Sequence, residues 1–232
     1  CAVFPWFYLP FDKISCYLLT IEFVLFFIYA FPPFRLKERG LLGVITDSLY
    51  AQVVPCLLAV YTFSKLGNLN INLYFIVLYA SWLFIAGIRN IIKHQIEDFE
   101  NDKKTSTNTF VTKYGVEYAK KITIVYFFFI EIVLFIIILW IINFQYHIVV
   151  FIYLLYLIFL IIKRIRNTDN SSYNFINMRI LNEFYEIHLP IILLLYFSYY
   201  NSFYLLVLLL NLVLFYPIYW QFLKMFYLKY YH

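Results

Sequence analysis

The chain has 232 residues, of which 64% are hydrophobic, 24% aromatic and only 13% charged, and its mean hydropathy is +0.79. A composition this apolar excludes an ordinary soluble domain and is typical of a protein that crosses a membrane several times. The net charge is a modest +5, and the three cysteines show no spacing typical of a disulfide framework or a metal site.

Seven apolar segments approach or reach the length of about 17–25 residues that a bilayer-spanning helix needs. They cover residues 15–31, 41–63, 71–88, 122–142, 149–162, 181–199 and 203–222. The sequence therefore predicts an all-α, polytopic transmembrane helix bundle in which residues 1–232 form a single membrane-embedded domain. Polar loops are predicted near residues 32–40, 89–118 and 163–180.

The basic residues are distributed very unevenly over this predicted topology. All but two of the 18 Lys and Arg residues fall in or beside the three polar loops or in the C-terminal tail, and the exceptions are Lys13 and Lys65. This asymmetry satisfies the positive-inside rule. We therefore expect the polar loops and the C-terminus on the cytoplasmic side of a bacterial inner membrane, and the net charge needs no nucleic-acid partner to explain it.

Five acidic residues fall within predicted spans. Glu183 and Glu186 lie at the cytoplasmic entrance of the span at 181–199, and Glu131 lies in the middle of the span at 122–142. Glu22 lies in the middle of the first span, where a carboxylate is costly and usually faces the interior of the bundle. Asp47 lies closer to the start of the second span. A helix-capping or packing role and a role in a binding site are both open for Asp47.

The longest polar stretch is RNIIKHQIEDFENDKKTSTNTFVTKYG, residues 89–115. Polar side chains recur at every fourth position, at Asn90, His94, Asp98, Asp102 and Ser106. On a helix they would form one stripe that drifts by roughly 40° per step. Two carboxylates one turn apart repel each other unless a cation lies between them. A solvated loop without a site is the alternative interpretation of this stretch.

Carboxylates beside basic residues at a membrane surface suit a divalent cation that is shared with a phosphate. Mg²⁺ prefers oxygen ligands and commonly binds through one or two carboxylates together with substrate phosphates. We predict that Asp98 and Asp102 are the metal ligands and the catalytic residues. The predicted substrate-binding residues are Arg35, Lys37, Arg89, Asn90, Lys93, His94 and Lys103.

Two segments resemble motifs of the UbiA superfamily of intramembrane prenyltransferases. HQIEDFENDKKTSTNTFVTKYG is similar to the family's second aspartate-rich motif, DxxxD followed by a small residue, a Thr and a Gly. The matching positions are Asp98, Asp102, Ser106, Thr109 and Gly115, with His94 where a further Asp is common. YAFPPFRLKERG, residues 29–40, is similar to the family's YSxPPxRLKxR loop. The resemblance covers roughly residues 20–130.

The sequence also departs from the family pattern. The first motif of the family, NDxxDxxxD, is not found upstream of Tyr29, and four predicted spans follow the second motif where a nine-helix plan leaves three. Because the chain begins with Cys1 and not with Met, we expect that helices carrying the first motif precede it in a longer protein. A degenerate, non-catalytic relative of the family is the alternative.

The resemblance implies Mg²⁺-dependent transfer of a prenyl group from a polyprenyl diphosphate to an acceptor, within membrane lipid. An aromatic acid, a quinone precursor, a tetrapyrrole, a glycerol lipid and a sugar phosphate are all open as acceptors. A polytopic transporter or scaffold protein is the competing function from another class. It predicts charged residues along several spans, whereas Glu22 and Glu131 are the only acids in the middle of a predicted span.

Overall fold

The computed structural model describes residues 12–142, 149, 151–156, 158, 181–182 and 184–230. Over these ranges the chain is helical, and its only extended pairing is an isolated parallel bridge between Gly40 and Thr109. The prediction of an all-α fold is confirmed. The chain divides into two compact units, residues 1–144 and 145–232, which are described separately. A single domain over residues 1–232 stays a prediction.

Long apolar helices build the first unit. In chain order the helices are α1 (Lys13–Ala30), α2 (Leu41–Leu66), α3 (Leu73–Glu97), the short α4 (Phe99–Lys104) and α5 (Phe110–Tyr114), and α6 (Val116–Ile141). Both α2 and α6 contain a π-helical turn, at Leu49–Val53 and Thr123–Phe127. Four of these helices, α1, α2, α3 and α6, are long and apolar enough to cross a membrane.

Local signals explain where these helices begin and end. The Asp12 side chain accepts a hydrogen bond from the Ser15 N–H at 3.0 Å and caps α1, and Asn72 caps α3 in the same way through the Tyr74 N–H at 2.9 Å. Pro32 and Pro33 follow the end of α1, because proline cannot continue a helix. The third helix runs nine residues past the predicted span, to Glu97, so the first third of the polar stretch is helical.

The central helix α3 packs against α2 on one side and against α6 on the other. Ser48 donates a hydrogen bond to the Phe84 carbonyl at 2.7 Å, and a Cβ at Gly87 would lie only 2.4 Å from the Ser48 oxygen. Glycine is therefore required for this close approach. Toward α6, the rings of Trp82 and Phe135 are 5.2 Å apart.

Arg89 of α3 and Glu131 of α6 form an ion pair in the interior of the first unit. The Arg89 Nε lies 2.5 Å and its Nη2 3.0 Å from the two carboxylate oxygens, and both side chains are 0% exposed. Glu131 therefore faces the interior of this unit. Its partner was not predicted, and Arg89 was expected to bind substrate.

The second unit contains a π-helical turn at Phe184–His188 followed by α7 (Leu189–Tyr200), α8 (Phe203–Leu214) and α9 (Tyr216–Tyr230). Tyr153 packs on Phe184 with ring centroids 4.7 Å apart, and its hydroxyl lies 3.2 Å from that of Tyr185. Tyr219 of α9 donates a hydrogen bond to Asn211 of α8. Aromatic contacts thus hold together the described part of this unit.

The predicted count of seven spans is not confirmed. The predicted spans at 15–31, 41–63, 71–88 and 122–142 correspond to the four long helices. Six of the 14 residues of the predicted span at 149–162, and the whole predicted loop at 163–180, lie outside the described residues. The predicted span at 181–199 contains most of α7, which begins only at Leu189, and the predicted span at 203–222 covers α8 and the first part of α9. Both α7 and α8 have 12 residues.

Replacing Glu131 with Ala should strongly destabilise the first unit, because it leaves the Arg89 guanidinium buried without its carboxylate. Breaking a buried ion pair in this way costs about 3–5 kcal/mol, whereas replacing both partners with apolar residues of similar volume costs far less. Thermal unfolding in detergent micelles would measure the difference between Glu131→Ala and the double variant Arg89→Met/Glu131→Leu.

The exposed pair of Lys120 and Glu117, 3.1 Å apart, supplies the control for this measurement. Because Glu117 is 86% exposed, Glu117→Ala should change stability by less than about 1 kcal/mol. An equally mild effect of Glu131→Ala would contradict a stabilising role for the buried pair.

Candidate functional site

A polar cavity of about 240 Å³ lies where the loop after α1 meets the connection after α3. It brings together side chains from residues 29–38 and 91–109, two segments that the sequence linked to one function. The lining residues are Tyr29, Arg35, Lys37, Glu38, Ile91, His94, Gln95, Asp98, Asp102, Thr107 and Thr109. We call this cavity the polar pocket.

Backbone contacts hold the two loops of the pocket together. The Gly40 N–H donates to the Asn108 carbonyl at 3.2 Å, beside the bridge between Gly40 and Thr109. Gly40 has φ +55°, a conformation that favours glycine. Gln95 of α3 reinforces this arrangement, because its side-chain oxygen accepts a hydrogen bond from the Val111 N–H at 3.3 Å.

Asp98 and Asp102, the predicted metal ligands, both line the polar pocket. Asp98 follows the last residue of α3, and its carbonyl accepts a hydrogen bond from the Asp102 N–H at 2.9 Å. Ser106 then takes a positive φ of +56° and ends the helical path. The predicted four-residue stripe therefore runs over two helices, α3 and α4, and does not continue as one helix to Ser106.

The environment of Asp102 disfavours its charged form. Partial burial raises the pKa of the Asp102 carboxyl above its ordinary value, a hydrogen bond with Thr109 opposes that rise, and the Asp98 carboxylate adds to it. Raised carboxyl pKa values are common at sites where a cation or a proton completes the arrangement.

Arg35 and Lys37 supply the permanent positive charges of the pocket. Arg35 adopts the left-handed conformation, with φ +41°, and its Nε lies 2.9 Å from Glu38. Lys37 lies in a single 3₁₀ turn, Leu36–Glu38, that follows directly. A non-glycine residue held at positive φ costs energy and often marks a functional segment.

The remaining predicted binding residues divide into one that lines the pocket and four that lie elsewhere. His94 lines it, is exposed, and has its Nδ1 3.4 Å from Glu97. In the described structure, Arg89 is buried against Glu131, Lys93 lies 3.6 Å from Glu97, Asn90 is half-buried, and Lys103 is exposed on α4. The structure does not bring these four to the pocket.

Several lining residues were not predicted as site residues. Tyr29, Glu38, Gln95 and Thr107 complete the walls, and Thr109 both lines the pocket and caps α5 through the Thr112 N–H at 3.3 Å. One signal for Gln95 was present in the sequence. On a helix that continues to residue 97, Ile91, Gln95 and Asp98 share a face.

Two carboxylates and neighbouring hydroxyl groups can hold a divalent cation in part. Within the described ranges, the structure has no group of three or more His, Cys, Asp or Glu residues arranged to hold a metal by themselves. Mg²⁺ does not need such a group, because it often takes one or two carboxylates and completes its shell with substrate phosphates and water. Asp98 and Asp102 therefore fit Mg²⁺ that arrives with a phosphorylated ligand.

No family model, curated protein or solved structure matches the chain. The resemblance to the UbiA superfamily stays a prediction that rests on the two motifs.

Replacing Asp102 with Asn should leave the protein at least as stable as the wild type at neutral pH when divalent cations are removed. A carboxyl whose pKa is raised by folding holds its proton more tightly in the folded state. Stability therefore falls as pH rises from the ordinary pKa of Asp to the raised one. Asn is neutral throughout and avoids this loss.

Thermal unfolding with a chelator present, from about pH 3 to neutral, would test this linkage. We expect the two proteins to be equally stable at the acid end and the wild type to lose stability relative to the variant as pH rises. A variant that is less stable only at neutral pH would contradict the raised pKa.

Proposed function

We propose that the chain binds the diphosphate group of a polyprenyl diphosphate in the polar pocket together with Mg²⁺, and takes part in transferring the prenyl group to an acceptor. The observation that carries the proposal is the pocket itself. It gathers Asp98 and Asp102 with Arg35 and Lys37 from segments about sixty residues apart, at one end of the long apolar helices.

The lining charges suit a diphosphate that is accompanied by a metal. Asp98 and Asp102 would hold Mg²⁺, which when bound supplies positive charge that stabilises the departing diphosphate. Lys37 offers a further cation to the phosphate oxygens, and Arg35 offers a planar set of donors that suits phosphate. Thr107 and Thr109 line the same wall and can add hydroxyl hydrogen bonds.

The rest of the first unit suits the apolar part of the same substrate. The long helices α1, α2, α3 and α6 offer the apolar surroundings that a long isoprenoid tail needs. Aromatic side chains are abundant there, and their faces stabilise cations such as the allylic cation formed when a carbon–oxygen bond ionises. Excluding water from this region protects a reactive carbon from hydrolysis.

The proposed orientation places the polar pocket at the cytoplasmic face of a bacterial inner membrane. The pocket residues belong to the two loops in which most basic residues of the first unit are found, and such loops remain on the cytoplasmic side. A soluble, charged diphosphate product can leave directly into water from this position.

Replacing Asp98 or Asp102 with Asn should abolish Mg²⁺-dependent release of diphosphate from a polyprenyl diphosphate, because each change removes a metal-binding charge. Release can be followed colorimetrically with the purified chain in lipid nanodiscs. Glu117→Gln, an exposed carboxylate on α6, is the control and should behave like the wild type. Full release by both Asp variants would overturn the proposed site, and binding without release in the wild type would favour the non-catalytic alternative.

Lys37 and Lys103 provide a test of whether ligand binding depends on the position of a lysine in the pocket or only on the positive charge of the loops. Both were predicted to bind substrate, but Lys37 lines the pocket and Lys103 is exposed on α4. Lys37→Ala should weaken Mg²⁺-dependent binding of geranylgeranyl diphosphate by about tenfold or more, because a hydrogen bond to a charged group contributes about 1.5–3 kcal/mol and about 1.4 kcal/mol is a tenfold change in affinity.

Lys103→Ala should change the same affinity less than about twofold, because an exposed cation that does not line the pocket is screened by salt. Equilibrium binding with radiolabelled ligand at physiological ionic strength would give both values. Equal losses in the two variants would mean that the basic loops attract the ligand without a defined pocket.

A further inference from the structure

A carboxylate inside a membrane-spanning helix lies next to the polar pocket. Asp47 is in the second turn of α2, within a segment long and apolar enough to cross a membrane. Its side chain lies close to those of Tyr29, near the end of α1, and Tyr50, one turn along α2. The rings of these two tyrosines are 5.1 Å apart, so the three side chains form one cluster between the helices.

The cluster reaches the pocket through Tyr29, which is one of its lining residues. Asp102 lines the same pocket. Tyr29 therefore belongs both to the cluster around Asp47 and to the pocket wall that contains one of the two carboxylates of the proposed metal site. The Tyr50 side chain shares the cluster but is not part of the described pocket wall.

Packing alone does not explain an acid at this position. Asp47 lies near the start of its span, but a carboxylate within a membrane helix is still costly, and an apolar residue of similar volume could pack there without that cost. Ionisable residues in membrane helices usually mark a functional site and have a specific partner. Here the partners are two phenols, one of which faces the pocket.

The chemistry of the phenol suggests what the arrangement achieves. A tyrosine hydroxyl has one proton to donate and an oxygen that can accept. If its proton is directed to Asp47, the Tyr29 oxygen is left to accept a hydrogen bond from a group in the pocket. Mg²⁺ keeps several water molecules when it binds proteins, and such waters need acceptors around them.

We propose that Asp47 is a positioning residue of the metal site: it holds Tyr29 so that the Tyr29 oxygen accepts a hydrogen bond from water on Mg²⁺ bound at Asp98 and Asp102. This inference rests on the proposed function and extends it to a second layer of residues around the site. Partners in that layer typically change metal affinity by about 10–100-fold.

The test measures binding of inorganic diphosphate with Mg²⁺ to the full chain in detergent micelles, by titration calorimetry. Asp47→Leu and Tyr29→Phe should each weaken binding about tenfold or more. The double variant should bind about as tightly as the single variant with the larger loss, because the two changes remove the same interaction. Asp47→Asn should restore part of the affinity, because an amide oxygen can still accept the Tyr29 proton.

Two controls separate positioning from general damage to the cluster. Tyr50→Phe removes the other phenol that contacts Asp47, and Glu22→Leu removes a carboxylate from the middle of α1. Both should bind Mg²⁺ and diphosphate within about twofold of the wild type, a difference too small to represent a lost outer-layer partner. Tyr29→Phe removes a single oxygen and keeps the ring, so it tests the proposal even if Asp47→Leu fails to fold.

The outcomes distinguish this proposal from the one on which it rests. A wild-type chain that does not bind Mg²⁺ and diphosphate overturns the proposed function and the role of Asp47 with it. A wild type that binds, with unchanged affinity in Asp47→Leu and Tyr29→Phe, overturns only the role of Asp47. Additive losses in the double variant, or an equal loss in Tyr50→Phe, would also overturn it.

Discussion

The buried ion pair between Arg89 and Glu131 fixes the helix on which the polar pocket depends. Two hydrogen bonds between a planar guanidinium and a carboxylate hold both the rotation of α3 about its axis and its height against α6. Both charges are fully buried, and a buried charge without its partner is strongly destabilising. Sliding of the two helices past each other is therefore unfavourable, because it would separate the pair. On the opposite side, Gly87 allows Ser48 of α2 to approach closely.

The rotation that buries Arg89 also directs the other face of α3 toward the pocket. With 100° between successive residues, His94, Gln95 and Asp98 lie within roughly 60° of the direction of Ile91, whereas Arg89 and Lys93 point roughly 160° away from it. The ion pair and the site are thus two faces of one helix. A pocket built at a helix end keeps its geometry only if the helix behind it cannot turn, and Arg89 provides that restraint.

Much of the site's location could be predicted because charged residues are conspicuous in so apolar a chain. Asp98, Asp102, His94, Arg35 and Lys37 were all chosen from sequence, and the structure brings them into one pocket. The choice of Arg89, Lys93 and Lys103 relied on charge alone. Helical phase, once α3 is known to continue to Glu97, places Arg89 and Lys93 on the other face.

The contacts that join distant segments could not be predicted from local pattern. Arg89 and Glu131 are 42 residues apart, and the Gly40 N–H donates to the carbonyl of Asn108, which lies even further along the chain. No periodicity in either segment encodes the other as its partner. The break between α3 and α4 at Asp98 was likewise not predicted.

The charges that line the polar pocket make its two proposed ligands depend on each other. Glu38, Asp98 and Asp102 carry three negative charges when ionised, against the positive charges of Arg35 and Lys37, and Arg35 is already paired with Glu38. A diphosphate alone would meet a surface that is negative on balance. Mg²⁺ reverses that balance, and the diphosphate in turn completes the metal's oxygen shell, which two carboxylates leave open.

Each ligand must then raise the affinity for the other by the same factor, because such coupling is reciprocal. A polar pocket at the end of apolar helices is suited to this coupling, because the charged groups stay near water while the hydrocarbon tail remains among the helices.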